Sequence, residues 1–225
     1  MRKVKYLIAR MGEPRTLSVH QQLLLSAAFS LLLLVARMLY TGHILFAFLV
    51  WNLFLAWVPY ALTRKMEADR IGGKRFWFLG LVWLLFLPNS FYILTDLFHL
   101  TLDRAMPLWY DLALLLSFAW SGMLLGVHSM HTMEGLLSRR LHLRLGWLFV
   151  LPLMALNAFG IYLGRYLRFN SWDVLANPFE LLGDIVYLFI HPFRSRFDWS
   201  MIGCYTLLLT VIYVSVAQSE KSSRR

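Results

Sequence analysis

Six stretches of the chain, residues 16–36, 44–63, 76–95, 112–133, 145–164 and 199–219, contain no Asp, Glu, Lys or Arg. Each is close to the ~20 residues that an α-helix, rising ~1.5 Å per residue, needs to cross ~30 Å of hydrocarbon. Inside a bilayer the backbone polar groups must be satisfied within the spanning element, which leaves helices and closed barrels. None of the stretches alternates in and out over the ~10 residues of a barrel strand, so helices are predicted. Composition points the same way. With 59% of residues hydrophobic and 15% charged, against roughly 25% charged in an ordinary soluble domain, the chain has more apolar surface than a soluble core can hide. The expectation is an all-α polytopic bundle, one membrane-embedded domain over residues 1–225, with spans near 18–40, 44–63, 76–100, 107–131, 145–166 and 199–219.

Cytoplasmic loops of membrane proteins are enriched in Lys and Arg. Assigning the connectors alternately to two sides puts Arg2, Lys3, Lys5, Arg10, Arg15, Arg64, Lys65, Arg70, Lys74, Arg75, Arg139, Arg140, Arg144, Lys221, Arg224 and Arg225 on one face, 16 of the 22 basic residues. Arg37, Arg104, Arg165, Arg168, Arg194 and Arg196 fall on the other. Both termini are therefore expected in the cytoplasm, and the protein in the cell membrane. This distribution also accounts for a formal charge of +10 without nucleic acid, for which no aromatic-basic stripe or finger motif speaks. Residues 1–15 read as a basic amphipathic surface segment, with Val4, Leu7, Ile8 and Met11 on one face. The segment is read as a retained anchor, because no small-residue cleavage site follows Ala36. A lone cysteine, Cys204, excludes intrachain disulfides and thiolate metal clusters.

The third span is unlike the rest. At ~100° per residue, Asn89, Tyr92, Asp96, His99 and Asp103 fall within roughly an 80° arc, opposite Ile93, Leu94, Leu97 and Phe98. A spanning helix turns such polar groups away from lipid, toward the bundle or a wet cavity. Pro88 lacks an N–H and disfavours helical geometry at Leu87, so a kink or break is expected there, with Asn89 able to satisfy the freed backbone groups.

On the fifth span Asn157, Gly160, Gly164 and Arg168 share a face, and the two glycines form a small-xxx-small pair suited to close helix packing. Counting along both helices places Asp96, His99, Arg165 and Arg168 near the same outer boundary. The spacing predicts a pair between Asp96 or Asp103 and Arg165 or Arg168, either as a latch between helices or as part of a site.

Leu87-Pro88-Asn89 followed by Tyr92, Thr95-Asp96-Leu97 and His99-Leu100, together with Gly164-Arg165-Tyr166 and Asn170-Ser171-Trp172-Asp173, resembles a family of bacterial polytopic membrane proteins known as domain of unknown function 1361. The resemblance covers most of the chain from the second span to the sixth. It implies a bacterial cytoplasmic membrane location and no activity.

Between the last two spans, residues 170–198 form an outer loop. There Asn177 is expected to cap a short helix that opens with Pro178, carries Glu180 and Asp184 on its polar side, and lies along the interface or dips into it. Asp111, one turn after Pro107, reads as a complement to its helix dipole. Trp109, Trp172 and Trp199 suit an aromatic belt. His128, His131 and Glu134 fan over about 120°, too wide for one metal ion, and no metal or cofactor is expected.

The candidate polar cluster is thus Asn89, Tyr92, Asp96, His99, Asp103, Arg165, Arg168, Asn170 and Asp173. No nucleophile motif, paired catalytic carboxylates or complete metal signature accompanies it. The default expectation is a scaffold whose polar groups fasten helices together within the lipid bilayer. The alternatives are an outward-facing envelope enzyme, or a binder of an anionic lipid or envelope ligand, with Arg165 and Arg168 holding the anion. A small proton-coupled or solute transporter, possible as an oligomer, is a further alternative.

Overall fold

The computed structural model describes residues 17–100, 105–169 and 173–223. The N-terminal segment 1–15 and two of the candidate cluster residues, Asp103 and Asn170, lie outside the described residues. Within them the chain is an all-α polytopic bundle with no strand. Helix α1 (Val19–Thr41) is followed by α2 (Phe48–Ala68) and α3 (Gly73–Tyr92), and α3 continues as a 3-10 helix over Ile93–His99. Then come α4 (Leu108–Leu141), α5 (Trp147–Arg165), a single turn at Asp173–Ala176, α6 (Pro178–Ile190) and α7 (Arg196–Ser223).

Local chemistry sets several of these boundaries. Ser18 and Gln21 form a reciprocal capping box at the start of α1, each side chain accepting from the other's backbone N–H at 3.3 and 2.9 Å. Gly42, at φ 71°, closes the same helix in the left-handed conformation that glycine adopts without steric penalty. Asn177 occupies the N-cap position of α6, but its side chain makes no capping bond there. Pro178 at the first turn, already pre-set for helical φ, starts the helix without it.

Helix α4 is the centre of the bundle. Of its most apolar stretch 72% is buried, against 22% for α1 and for α7, and it packs against α1, α2, α3 with its 3-10 extension, and α7. Small residues make this possible: a Cβ on Gly122 would lie 2.4 Å from Ile93 Cγ2, and one on Gly126 2.8 Å from the Phe91 ring. On the far side α5 packs between α3 and α7. Helix α6, only 13 residues long, is too short to cross. It buries Leu181 and Leu188 while exposing Phe179, Leu182, Phe189 and Ile190, the surface of a helix lying in an apolar medium.

Among the described residues five helices are long and apolar enough to cross a membrane: α1, α3 with its extension, α4, α5 and α7. The charge-free stretches had suggested six. Helix α2 has the length, 21 residues, but Asn52, Pro59 and Tyr60 interrupt its apolar run and Arg64 and Lys65 enter its last turns. It compensates by packing along both α3 and α4.

Two sequence expectations change here. The helix runs through Pro88 unbroken, and the change of winding comes five residues later, at Ile93. Asn89 Nδ2 donates to the Phe86 carbonyl at 3.0 Å, which is not the Leu84 carbonyl that Pro88 leaves without its helical donor. Asp111 is no simple dipole partner. Its carboxylate receives Arg37 Nε at 2.7 Å and Nη2 at 3.3 Å, both residues being buried, so α1 and α4 are joined by a two-pronged ion pair under the Phe46 ring.

Candidate functional site

The change of winding after Tyr92 decides where the polar side chains go. In a 3-10 helix residues three apart eclipse, so Asp96 and His99 stack one above the other at the end of α3. Asp96 thereby faces α2, where Asn52 Nδ2 donates to its Oδ2 at 2.8 Å. Asn52 was not singled out from the sequence. Its signal was a lone amide in an otherwise charge-free, largely apolar stretch.

Helix α5 closes the other side of α3, and its glycines set the approach. A Cβ on Gly160 would lie 2.7 Å from the Pro88 ring, closer than real Cβ atoms pack, and one on Gly164 3.0 Å from the Tyr92 ring, a tight contact. Residue 165 is thereby carried to the tip of α3. Its guanidinium Nη1 stands 4.0 Å from Asp96 Oδ1, Nη2 lies 3.2 Å from His99 Nδ1, and the group rests over the Phe98 ring at 5.2 Å. His99 Nδ1 stands 3.2 Å from the Asp96 carbonyl as well, so it accepts from the guanidinium in one tautomer and donates to that carbonyl in the other.

These groups stand at one end of a cavity of about 520 Å³ between α2, α3 and α5. Asn89, Tyr92, Asp96, His99 and Arg165 all line it, as do Asn52 and the buried Asn157. The remaining wall is apolar, running down α3 to Leu81 and including Leu84, Leu85, Trp51 and Leu156. Trp51 is 53% and Leu81 65% exposed, so the wall passes into the lipid-facing surface of the bundle. The charges differ in access: the Asp96 side chain is 1% exposed and held by Asn52, while that of Arg165 is 17% exposed.

Arg168 and Asp173 are not among the residues that line the cavity. The Phe169 N–H donates to the Leu163 carbonyl at 3.1 Å, a closure one residue wider than a Schellman cap, and within it Arg168 takes the left-handed conformation at φ 62°. Its side chain is exposed and lies outside the cavity lining, because the helical arc that aligned it with Asn157 ends at Arg165. Asp173 begins the turn after the loop, its carbonyl accepting from Asn177 N–H at 2.8 Å. At the opposite end of the bundle, Glu134 accepts from Gly146 N–H at 3.1 Å and from Tyr213 OH at 3.4 Å, while His131 stacks on the Tyr213 ring. Among the described residues no three His, Cys, Asp or Glu side chains are grouped to hold a metal ion.

A family model described as protein of unknown function (DUF1361) matches residues 51–213, and the chain belongs to that family. The match takes in every residue that lines the cavity except Phe48. No curated protein matches the chain, and neither does any solved structure.

Proposed function

We propose that this member of the DUF1361 family binds a membrane amphiphile, with an anionic headgroup at Arg165 and hydrocarbon along the trough between α2 and α5. The observation that carries the reading is the cavity itself: about 520 Å³, within the roughly 300–1,000 Å³ of small-molecule sites, charged at one end and apolar along the rest. A helix-fastening scaffold needs its polar groups sealed, whereas here the guanidinium is reachable and Asp96 and Asn52 serve to orient it.

On this reading α2 also crosses, making six spans with both termini in the cytoplasm, as the concentration of 16 of 22 basic residues on one side argues. At ~1.5 Å per residue its length suffices, and its polar Asn52 faces Asp96 rather than lipid. The headgroup end of the cavity then opens at the outer leaflet of a cytoplasmic membrane.

The test is lipid carried through purification in mild detergent, quantified by mass spectrometry against folded protein. The unaltered chain is expected to retain anionic phospholipid, and Arg165→Ala to retain roughly tenfold less, the loss expected for removing charge-assisted hydrogen bonds. Equal retention by the two proteins, with equal thermal midpoints, would overturn the reading.

A further inference from the structure

The ends of α2, α3 and α4 that lie away from Arg165 enclose a second cavity, also of about 520 Å³. Its base is apolar, with Met66, Ile71 and Phe76 all buried. The charged groups that line it are Arg70, Arg139, Arg140 and Glu67. Basic residues on this face follow the rule for cytoplasmic connectors, and a diffuse positive surface asks nothing more of them.

Arg140 is built beyond that requirement. Its guanidinium lies over the Phe76 ring, 4.1 Å from the centroid, and Nη2 donates to the Ile71 carbonyl at 3.4 Å. A residue in the last turn of α4 is thus fixed to the connector between α2 and α3, 69 residues away in sequence. It is half-buried, and among the described residues it has no carboxylate partner. Glu67 is engaged elsewhere, by Arg64 at 3.1 Å and by Arg139 at 3.5 Å. Three guanidinium groups therefore line the cavity with one carboxylate, a surplus of two positive charges, which matches the −1.5 to −2 or so of a phosphomonoester near neutral pH. All three cations are arginine, although Lys65 and Lys74 lie in the same stretch of chain. Either residue type would supply diffuse charge, whereas the planar fork of arginine suits the paired oxygens of an oxyanion.

We propose that this cavity is a phosphate-binding site separate from the trough at Arg165, with Arg140 as the fixed cation and Arg70 and Arg139 completing the cradle. The phosphate is carried by a lipid headgroup of the adjoining leaflet or by a soluble phosphate ester, which share this chemistry. Arg70 and Arg139 are exposed, so the ligand exchanges with the surroundings and the site is titrated with added probe.

The probes are glycerol 3-phosphate and dioleoyl phosphatidic acid, which carry the same phosphomonoester without and with acyl chains. Each is titrated calorimetrically into full-length protein in neutral detergent, with and without Arg165→Ala, so that binding in the trough is counted apart. Arg140→Gln is expected to weaken binding roughly tenfold or more, the worth of a charge-assisted hydrogen bond. Lys74→Gln removes the same charge from an exposed position outside the cavity and is expected to leave the affinity within about twofold. Glu67→Gln, which releases Arg139 and removes the opposing charge, is expected to tighten binding roughly threefold.

Glycerol 3-phosphate bound as tightly as the lipid identifies a soluble ester as the ligand, and binding of phosphatidic acid alone identifies a headgroup; either result supports the site. Failure of both probes to bind overturns the proposal. Equal weakening by Arg140→Gln and Lys74→Gln, the mark of a diffuse basic surface, overturns it too. Should Arg140→Gln not fold, Glu67→Gln decides: a gain in affinity supports the site, and no gain overturns it.

Discussion

Among the described residues two arginine-aspartate pairs join helices, and they are built differently. Arg37 and Asp111 meet through two bonds, at 2.7 and 3.3 Å, with side-chain exposures of 0% and 1%. Asp96 and Arg165 come no closer than 4.0 Å, with exposures of 1% and 17%, and both line a cavity. In the first pair each charge is neutralised by the other and sealed. In the second the carboxylate is anchored by Asn52, and the guanidinium, supported by His99 and Phe98, keeps an accessible side. A close sealed pair serves as a latch; a loose pair on a cavity wall leaves a cation available to a ligand. Charge pairing across helices does not by itself distinguish structure from function, but closure of the pair does.

The largest expected effect comes from opening the latch. Asp111→Ala leaves a buried guanidinium without its carboxylate, and removing one partner of a buried pair costs about 3–5 kcal/mol. The expected outcome is a large fall in the thermal midpoint of the protein in detergent, or its loss from the membrane fraction. Arg165→Ala is expected to cost less, since the pair is loose at 4.0 Å and Asp96 keeps its bond from Asn52, while lipid retention falls. If the two substitutions destabilise equally, the distinction between the pairs is lost. Double-mutant cycles sharpen it further: coupling between positions 37 and 111 should exceed that between 96 and 165, within the ~0.5–3 kcal/mol span of contacting residues.

The latch was the less legible of the two in sequence. Arg37 and Asp111 were visible as charges beside apolar stretches, but they lie 74 residues apart, and nothing local links α1 to α4. Asp96, Tyr92, Asn89 and His99 were legible because helical periodicity alone gathers them on one arc. What periodicity missed is the winding change at Ile93, which turns Asp96 onto Asn52 of a different helix. The membrane character was the most legible property, since bilayer thickness dictates the length of a charge-free stretch. The same rule was less secure at α2, whose polar residues are matched by partners that only the packed bundle provides.

Gly160 offers an intermediate effect on the cavity side. A Cβ there would meet the Pro88 ring at 2.7 Å, and neither the ring nor the helix backbone can turn aside as a flexible side chain would. Gly160→Ala is expected to cost about 1–3 kcal/mol through overpacking and to push α5 off α3. Arg165 would then sit farther from His99, and less lipid would be retained. Unchanged lipid retention in this variant would mean that the close approach of α5 serves packing alone.

The smallest effect separates two arginines that sequence reasoning had grouped. Arg165 is the last residue of α5, and its guanidinium reaches the tip of α3, whereas Arg168 stands three residues on, at φ 62°, in the cap that ends the helix. A side chain other than glycine in that conformation carries a steric cost of roughly 1–2 kcal/mol, which glycine relieves while losing part of the gain to its greater freedom in the unfolded chain. Arg168→Gly is therefore expected to raise stability by up to about 1 kcal/mol, read as a small upward shift of the thermal midpoint, with lipid retention unchanged. If lipid retention falls as it does in Arg165→Ala, the anion is held by both arginines and the headgroup end of the cavity extends beyond α5 into the loop. If retention holds while stability rises, the charge at 168 takes no part in binding, and Arg165 alone is the cation that the glycines of α5 bring to the site.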